Sequence, residues 1–538
     1  MKTFTDVHTW TGLGAGLALF IAFYAGALTV FHHELYEWDS WSPDSVSAQH
    51  YDEAQQLIDM AVATNPAVVE NLRVELSGRS EPQHLVRSFK RKEEGGFERF
   101  EYRLTDDRTL DTSLENAHLS SFVYRLHYTA GIPNVQRIGM YTLGFICVLY
   151  GLALVSGVVI FLPNFLRDLF IVRKGKNLKR FWLDAHNVIG MLSLPWHIMF
   201  AWSSALLAIG ALMLAPFQFL VFEEDLLALA GPELGVVQSE GPSGISGAPL
   251  SVSELIANAK DAAPAMEPNY LRYEHYGDSN GRVTLYGPVD SDTLLSFATV
   301  TLNSHTGELL ALSEPDTASA GYTFYRGMFT LHFADFGGDL VRWVYFLLSM
   351  AGAFLFYSGN LLWVEARRRR RSPEQPGNAV FLARLNSGVC VGCMAGISAA
   401  FVGSRLLMEH ADRIALTEWV YYAVFLASVG WTLWRPVASG ARELLWLCAG
   451  LTMAIPLADA WVLGMPPWRS LMQGEWVLFT VQTLAIVFAL AFLQMAQAVK
   501  RRAEKGPRNS VWSELRQEED TAGLAVPIDA AAKTGTML

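Results

Sequence analysis

Residues 6–39 read DVHTWTGLGAGLALFIAFYAGALTVFHHELYEWD. Between Trp10 and Phe31 lie about 22 almost wholly apolar residues, enough to cross a bilayer as a helix at about 1.5 Å per residue. His8 stands at one mouth of this run, and His32 and His33 stand at the other. A secretory signal would have a shorter apolar core and a small-x-small cleavage site. The exit FHHELYEWD has none, so the run reads as a retained helix. The opening phrase then returns: Asp6, His8 and Gly12 of DVHTWTG match Asp184, His186 and Gly190 of DAHNVIG, again at the head of an apolar run.

The chain has 538 residues, of which 51% are hydrophobic and 17% charged, with a mean hydropathy of +0.23. This is too apolar for an ordinary soluble protein and too charged to lie wholly in lipid, so a polytopic membrane protein with sizeable polar loops is expected. The net charge of −11 argues against a nucleic-acid partner. Cys147, Cys390, Cys393 and Cys448 all fall in apolar segments, so no disulfide framework is implied. No Cys-x-x-Cys-His motif occurs for covalent haem attachment, and CVGC (390–393) reads as small residues for helix packing.

Eight spans can be drawn, near 10–31, 138–162, 184–214, 340–364, 380–404, 416–434, 443–464 and 474–497. The basic stretches RKGKNLKR (173–180), EARRRRR (365–371) and KRRAEK (500–505) all fall on one side if both termini are cytoplasmic. The expected organisation is a first span at 1–33, an outer polar segment at 34–136, and spans two and three with a basic loop at 137–217. A second outer segment at 218–338, a fourth span at 339–371, four additional spans at 372–500 and a disordered tail at 501–538 complete it. In a bacterial inner membrane both outer segments are periplasmic. Each reads as one helix followed by strands, for example SVSELIANAKDAA and then NYLRYEHYG, GRVTLYG and LLSFATVTLN.

The membrane part also repeats. RLHYTAGIPNVQR leads into span two and TLHFADFGGDLVR into span four, pairing His127 with Arg137 and His332 with Arg342 at the same spacing. LVSGVVIF and FYSGNLLW then close the two spans with the same Ser-Gly pair. The first four spans therefore read as an internal duplication.

By this topology His8 and His186 lie at the inner ends of spans one and three, and His127 and His332 at the outer ends of spans two and four. His197 lies deeper in span three, on the face of His186 if the helix is regular. Ionisable groups in lipid are costly and face functional interiors. Two imidazoles from facing helices can ligate a b-type haem axially, and an inner and an outer pair would make two haems in series across the bilayer. Read singly, each histidine could be a snorkelling or capping group; the duplicated placement favours ligation for four of them. His197 and the pair His32 and His33 have no counterpart in the other copy. The latter two read as interfacial, as His410 reads as solvated. Arg137 and Arg342 are candidates to pair with a haem propionate or to anchor at the interface, and Asp6 and Asp184 to cap helices or hold a neighbouring imidazole.

The segments VHTWTGLGAGL, RLHYTAGIPNVQRIG, DAHNVIGMLSLPWHIMF and TLHFADFGGDLVRW resemble the PepSY-associated transmembrane proteins, which include inner-membrane ferric-siderophore reductases. TLNSHTGELLAL is similar to the last strand-turn of a PepSY domain, with Gly307 in the turn; the first outer segment lacks a clean TGE signature. The resemblance covers residues 1–371. It implies an α-helical polytopic membrane protein with two periplasmic α+β PepSY-like domains and b-type haem. It carries His8, His127, His186 and His332 over as the recurring histidines, with His197 matching part of the family. It also implies electron transfer to a ferric siderophore or similar iron chelate. With no nucleotide-binding loop in a cytoplasmic segment, the donor is expected to be a separate cytoplasmic reductase or membrane quinol. The competing expectation is a membrane-anchored binding or regulatory module acting on a protease or cell-envelope partner, which would not need paired histidines. Spans five to eight carry no motif.

Overall fold

A computed structural model describes residues 1–41, 51–70, 72–76, 84–91, 97–104, 108–111, 119–133, 136–165, 170, 173, 178–222, 226, 241–289, 295–369, 371–410 and 412–514. The helices up to the first basic loop are α1 (Lys2–Thr29), α2 (His32–Asp39), α3 (Tyr51–Thr64), α4 (Leu119–Thr129) and α5 (Gln136–Phe161). They continue as α6 (Leu178–Leu192), α7 (Leu194–Leu220), α8 (Val252–Ala262), α9 (Ala320–Phe333) and α10 (Gly338–Ala366). The last are α11 (Gly377–Leu406), α12 (Arg413–Trp434), α13 (Val437–Val462), α14 (Pro467–Gln473) and α15 (Trp476–Lys505). The strands are β1 (Leu72–Glu75), β2 (Leu85–Arg91), β3 (Phe97–Leu104), β4 (Leu110–Asp111), β5 (Tyr270–Glu274), β6 (Arg282–Pro288), β7 (Phe297–Asn303) and β8 (Leu309–Ser313).

Among the described residues, eight helices are long and apolar enough to cross a membrane: α1, α5, α7, α10, α11, α12, α13 and α15. Span three differs from expectation. Instead of one helix over 184–214, α6 and α7 are separated by a turn at Ser193. Pro195 follows at once and has no N–H to donate, which removes one hydrogen bond from the helical ladder. The i→i−4 hydrogen bonds from Ser193 N–H to the Ile189 carbonyl and from His197 N–H to the Ser193 carbonyl, both 3.0 Å, run through this turn.

The chain divides into two units, one of Met1–Thr29, Leu119–Ile198 and Leu347–Leu538, the other of Val30–His118 and Met199–Phe346. In the second unit, the two polar segments join in one eight-stranded sheet of order β4-β3-β2-β1-β5-β6-β7-β8, antiparallel throughout, a pairing between them that the sequence reading did not include. The join is β1 with β5, Leu72 opposite Tyr273 and Val74 opposite Leu271. Two separate four-stranded sheets would each leave an edge of unpaired N–H and C=O groups there; pairing the edges removes both. It also merges the apolar faces, so Leu57 and Ile58 of α3 share one core with Val74, Leu255 of α8, Val283, Leu285 and Val300. Ser251 and Glu254 start α8 with a reciprocal capping box. Gly307 takes φ +74° in the β7–β8 turn, a conformation side chains rarely adopt.

In the first unit, α11 lies close against α12 along a Gly-x-x-x-Gly-x-x-x-Gly stripe that sequence reading passed over in favour of CVGC. A Cβ on Gly388 would meet the Thr432 side chain, one on Gly392 would come 2.8 Å from Ser428 Cβ, and one on Gly396 2.9 Å from the Tyr421 ring. The cysteines of CVGC are buried and free. The tail begins later than expected. Residues 501–505 finish α15, Trp512 is buried, and the Glu514 carboxylate accepts from the Ser439 hydroxyl at 2.6 Å. The expectation for 515–538, and that for 174–177 of the basic loop, lies outside the described residues.

Candidate functional site

Within the first unit, α1 brings His8 against His186 of α6, with ring centroids 6.2 Å apart and planes at 82°. Two imidazole nitrogens each about 2 Å from one metal would put ring centres about 6 Å apart, so the spacing suits a shared axial pair.

The second nitrogen of each ring decides which tautomer is present. His8 Nδ1 lies 2.8 Å from the Ala153 carbonyl of α5. A carbonyl only accepts, so Nδ1 carries the proton and the lone pair sits on Nε2. His127, on α4, repeats this against the Ala22 carbonyl of α1 at 2.7 Å. In the second unit His332 Nδ1 lies 2.8 Å from the Ser203 hydroxyl, which already donates to the Met199 carbonyl and therefore accepts from the imidazole. His186 Nδ1 faces the Ser358 hydroxyl of α10 at 3.5 Å, long for a hydrogen bond, and that hydroxyl likewise donates elsewhere, to Leu355. Three of the four duplicated histidines, His8, His127 and His332, thus share one arrangement: Nδ1–H held by a neighbouring helix and the lone pair on Nε2, assigned from the network. Among metal-ligating histidines this is the usual second-contact pattern.

His197 differs. Its Nδ1 is hydrogen-bonded to the Tyr150 hydroxyl, and its Nε2 is buried with no hydrogen-bond partner among the described residues. Phe23 packs on both rings, at 5.9 Å from each. An orphaned polar atom in an apolar interior is destabilising unless a ligand satisfies it.

Glycines make room for these rings. A Cβ on Gly157 would stand 2.9 Å from His8 Cε1, one on Gly26 2.7 Å from His127 Nδ1, and one on Gly359 3.4 Å from His186 Cε1. Gly157 and Gly359 belong to the repeated Ser-Gly pairs, a signal present in the sequence whose purpose only the packing explains. Sequence reasoning also missed Tyr150, Ala153, Ser203 and Ser358, ordinary residues whose roles depend on contacts far along the chain.

The charged candidates divide. Arg137 is exposed at the start of α5. Arg342 donates to both oxygens of the Glu34 carboxylate, at 2.6 Å to Oε1 and 2.5 Å to Oε2, and to the Val30 carbonyl at 3.0 Å. Its guanidinium is engaged by Glu34 and the Val30 carbonyl within the second unit. Asp184 neither caps a helix nor holds an imidazole; its two oxygens take the Arg173 guanidinium at 2.7 and 2.8 Å. His410 is exposed, as expected. Among the described residues no group of three or more His, Cys, Asp or Glu is placed to hold a metal ion; axial ligation of haem asks for only two imidazoles.

The PepSY-associated TM region matches residues 5–366. The chain belongs to this family. It is also 26% identical over 338 residues to the uncharacterized protein PA4219 of Pseudomonas aeruginosa, a match covering 57% of this chain and 78% of that one. All five candidate histidines and all three glycines beside them fall inside the family region, whereas α11–α15 lie beyond it.

Proposed function

We propose that this PepSY-associated membrane protein moves electrons across a bacterial inner membrane to reduce ferric siderophores or similar iron chelates in the periplasm. The observation that carries the reading is the pair His8 and His186, whose ring centroids lie 6.2 Å apart, with His8 oriented through Nδ1 so that its Nε2 is the available ligand atom. These two would hold one b-type haem. His127 and His332 are the candidate ligands of a second on the strength of the sequence repeat and the same Nδ1 arrangement. Bound haem supplies reversible one-electron chemistry.

The chain's own residues bind and orient. Ala153 and Ala22 fix the tautomers of His8 and His127, Gly157 and Gly359 leave room for the inner rings, and Tyr150 steers His197. In this reading the first four spans are two copies of one unit, the sheet halves are PepSY-like and periplasmic, and both termini are cytoplasmic. Electrons enter from a separate cytoplasmic reductase or from quinol. Reduction loosens the chelate because oxygen donors suited to ferric iron hold ferrous iron weakly.

The test is the visible spectrum of the purified protein, with acid-organic extraction. The expected result is a reducible, non-covalently held b-type haem at two per chain. Protein that stays colourless after haem supplementation rejects the electron-transfer reading and leaves the membrane-anchored binding module.

A further inference from the structure

The repeated Ser-Gly pairs of α5 and α10 stand in different surroundings. Placed in register, Ala153, Val155 and Val158 of α5 match Leu355, Tyr357 and Asn360 of α10. The Ala153 carbonyl holds His8 Nδ1 at 2.8 Å, and the Leu355 carbonyl lies in hydrogen-bonding reach of the His186 ring. Each serine hydroxyl donates to the matching carbonyl, Ser156 to Ala153 at 3.1 Å and Ser358 to Leu355 at 3.0 Å. Up to this point the two copies agree.

They part at the flanking positions. On α5, Val155 is 64% exposed, and neither valine has a polar side chain. On α10, Asn360 is buried, and its Nδ2 donates to Oδ1 of the fully buried Asn386 of α11 at 2.8 Å. Asn386 Nδ2 lies 3.4 Å from the Tyr357 carbonyl. That carbonyl only accepts, which settles which end of the amide is Nδ2. The Asn386 amide therefore bridges positions 357 and 360 of α10, one on each side of Ser358 and Gly359. Its Oδ1 also takes the Cys390 thiol at 3.6 Å. On the α1 side, a Cβ on Gly16 would stand 3.4 Å from Asn360 Oδ1, so the helix that carries His8 meets the same amide pair.

A buried amide is stabilising only while its partners stay in place, so such a pair fixes the rotation of a helix more tightly than apolar contact does. What it fixes here is the turn of α10 that faces His186. A Cβ on Gly359 would stand 3.4 Å from His186 Cε1, and Ser358 Oγ is 3.5 Å from His186 Nδ1.

We infer, resting on the proposed haem ligation by His8 and His186, that Asn386 is a positioning residue for this inner site. Acting through Asn360 and the Tyr357 carbonyl, it holds the turn from Leu355 to Gly359 against the His186 ring. The helices beyond the family region thereby set the tilt of one axial ligand, as groups behind a metal ligand do. The matching turn of α5, flanked by valines, has no such bridge.

The experiment is electron paramagnetic resonance of the oxidised full-length protein in nanodiscs, with haem retention measured against a haem scavenger. The inner component is the one lost in His186→Ala. Asn386→Leu should displace the inner low-spin signal and lower inner-haem retention about tenfold, leaving the outer component as it is. It also strands Asn360 without its acceptor. Asn386→Leu combined with Asn360→Leu removes both amides and should recover thermal stability while the inner signal stays displaced, an outcome that a merely structural pair does not give. Ser398→Ala, which removes the 2.8 Å hydrogen bond from α11 to Thr452 of α13, should leave both components unchanged. An inner signal unaltered in both Asn386 variants, its return in the double variant, or equal displacement of the two components overturns the inference while the haem reading stands. Wild-type protein without haem rejects the proposed function and the inference with it.

Discussion

The first unit buries polar groups in two different ways. Around α1, α5, α6 and α10, histidines are held through Nδ1, and the one deepest in the helices, His197, keeps a buried Nε2 with no hydrogen bond. In the helices beyond the family region, Arg405 and Asp459 are almost wholly buried and paired at 2.8 Å. Gln482 then donates to the other Asp459 oxygen at 3.1 Å and to the Met465 carbonyl at 2.8 Å, and accepts from Ser470. The second network closes on itself; the first does not. A buried polar group left open in an apolar interior marks a place that something else must fill, whereas a closed one marks a scaffold. The family region holds the buried His197 Nε2 with no hydrogen bond among the described residues, and the added helices hold a clamp.

The largest effect that would break this contrast concerns haem. Changing His8 or His186 to Ala should remove one of two haems and leave the other, read as haem per protein by pyridine haemochrome. Arg405→Leu should leave the stoichiometry untouched; if it too strips haem, the clamp is part of the electron path. Stability should show the reverse pattern. Arg405→Leu leaves Asp459 buried without its cation and should cost about 3–5 kcal/mol, while the double change Arg405→Leu with Asp459→Leu should recover most of it. Thermal unfolding in a fixed detergent measures both. No recovery in the double variant would mean the pair contributes more than charge compensation.

A finer test uses two glycines of α5. Gly157→Ala places a methyl 2.9 Å from His8 Cε1 and should weaken haem retention about tenfold by tipping the ring. Gly151→Ala, whose new methyl meets nothing within 4 Å, should be silent. Equal effects would mean that helix propensity, not the imidazole cradle, is being measured. The smallest effect lies in the sheet unit. Chiefly the Ser243 hydroxyl holds Asp278 down at about 2, below its usual 3.8. A depressed carboxylate contributes stability above its unfolded value and loses it as pH falls through the folded one. The melting temperature should therefore drop between about pH 4 and pH 2, and Asp278→Asn should flatten that part of the profile.

Much of the candidate site was legible because it rests on identity at fixed spacing. His8 and His186, each in an Asp-x-His-x-x-x-Gly phrase, could be paired without knowing any contact, and the structure brings their rings together. Arg342 was not legible, because its Glu34 partner lies 308 positions away and no local pattern joins them. Tyr150 is one tyrosine among 18 until His197 is seen against it.

The fold divides along the same line. The apolar runs of α1, α5, α10, α11, α12, α13 and α15 were set by sequence alone, since crossing hydrocarbon demands about 20 consecutive apolar residues whatever their neighbours. The helix-then-strand order of the two outer segments was equally local, carried by alternation and turn residues. That β1 and β5 fuse the segments into one sheet was decided only in three dimensions. Strand alternation states which face is buried, but an edge carries no mark of the strand that will cover it. The ion pair of Arg405 with Asp459 belongs there too, because packing, not periodicity, determines which buried charge meets its partner.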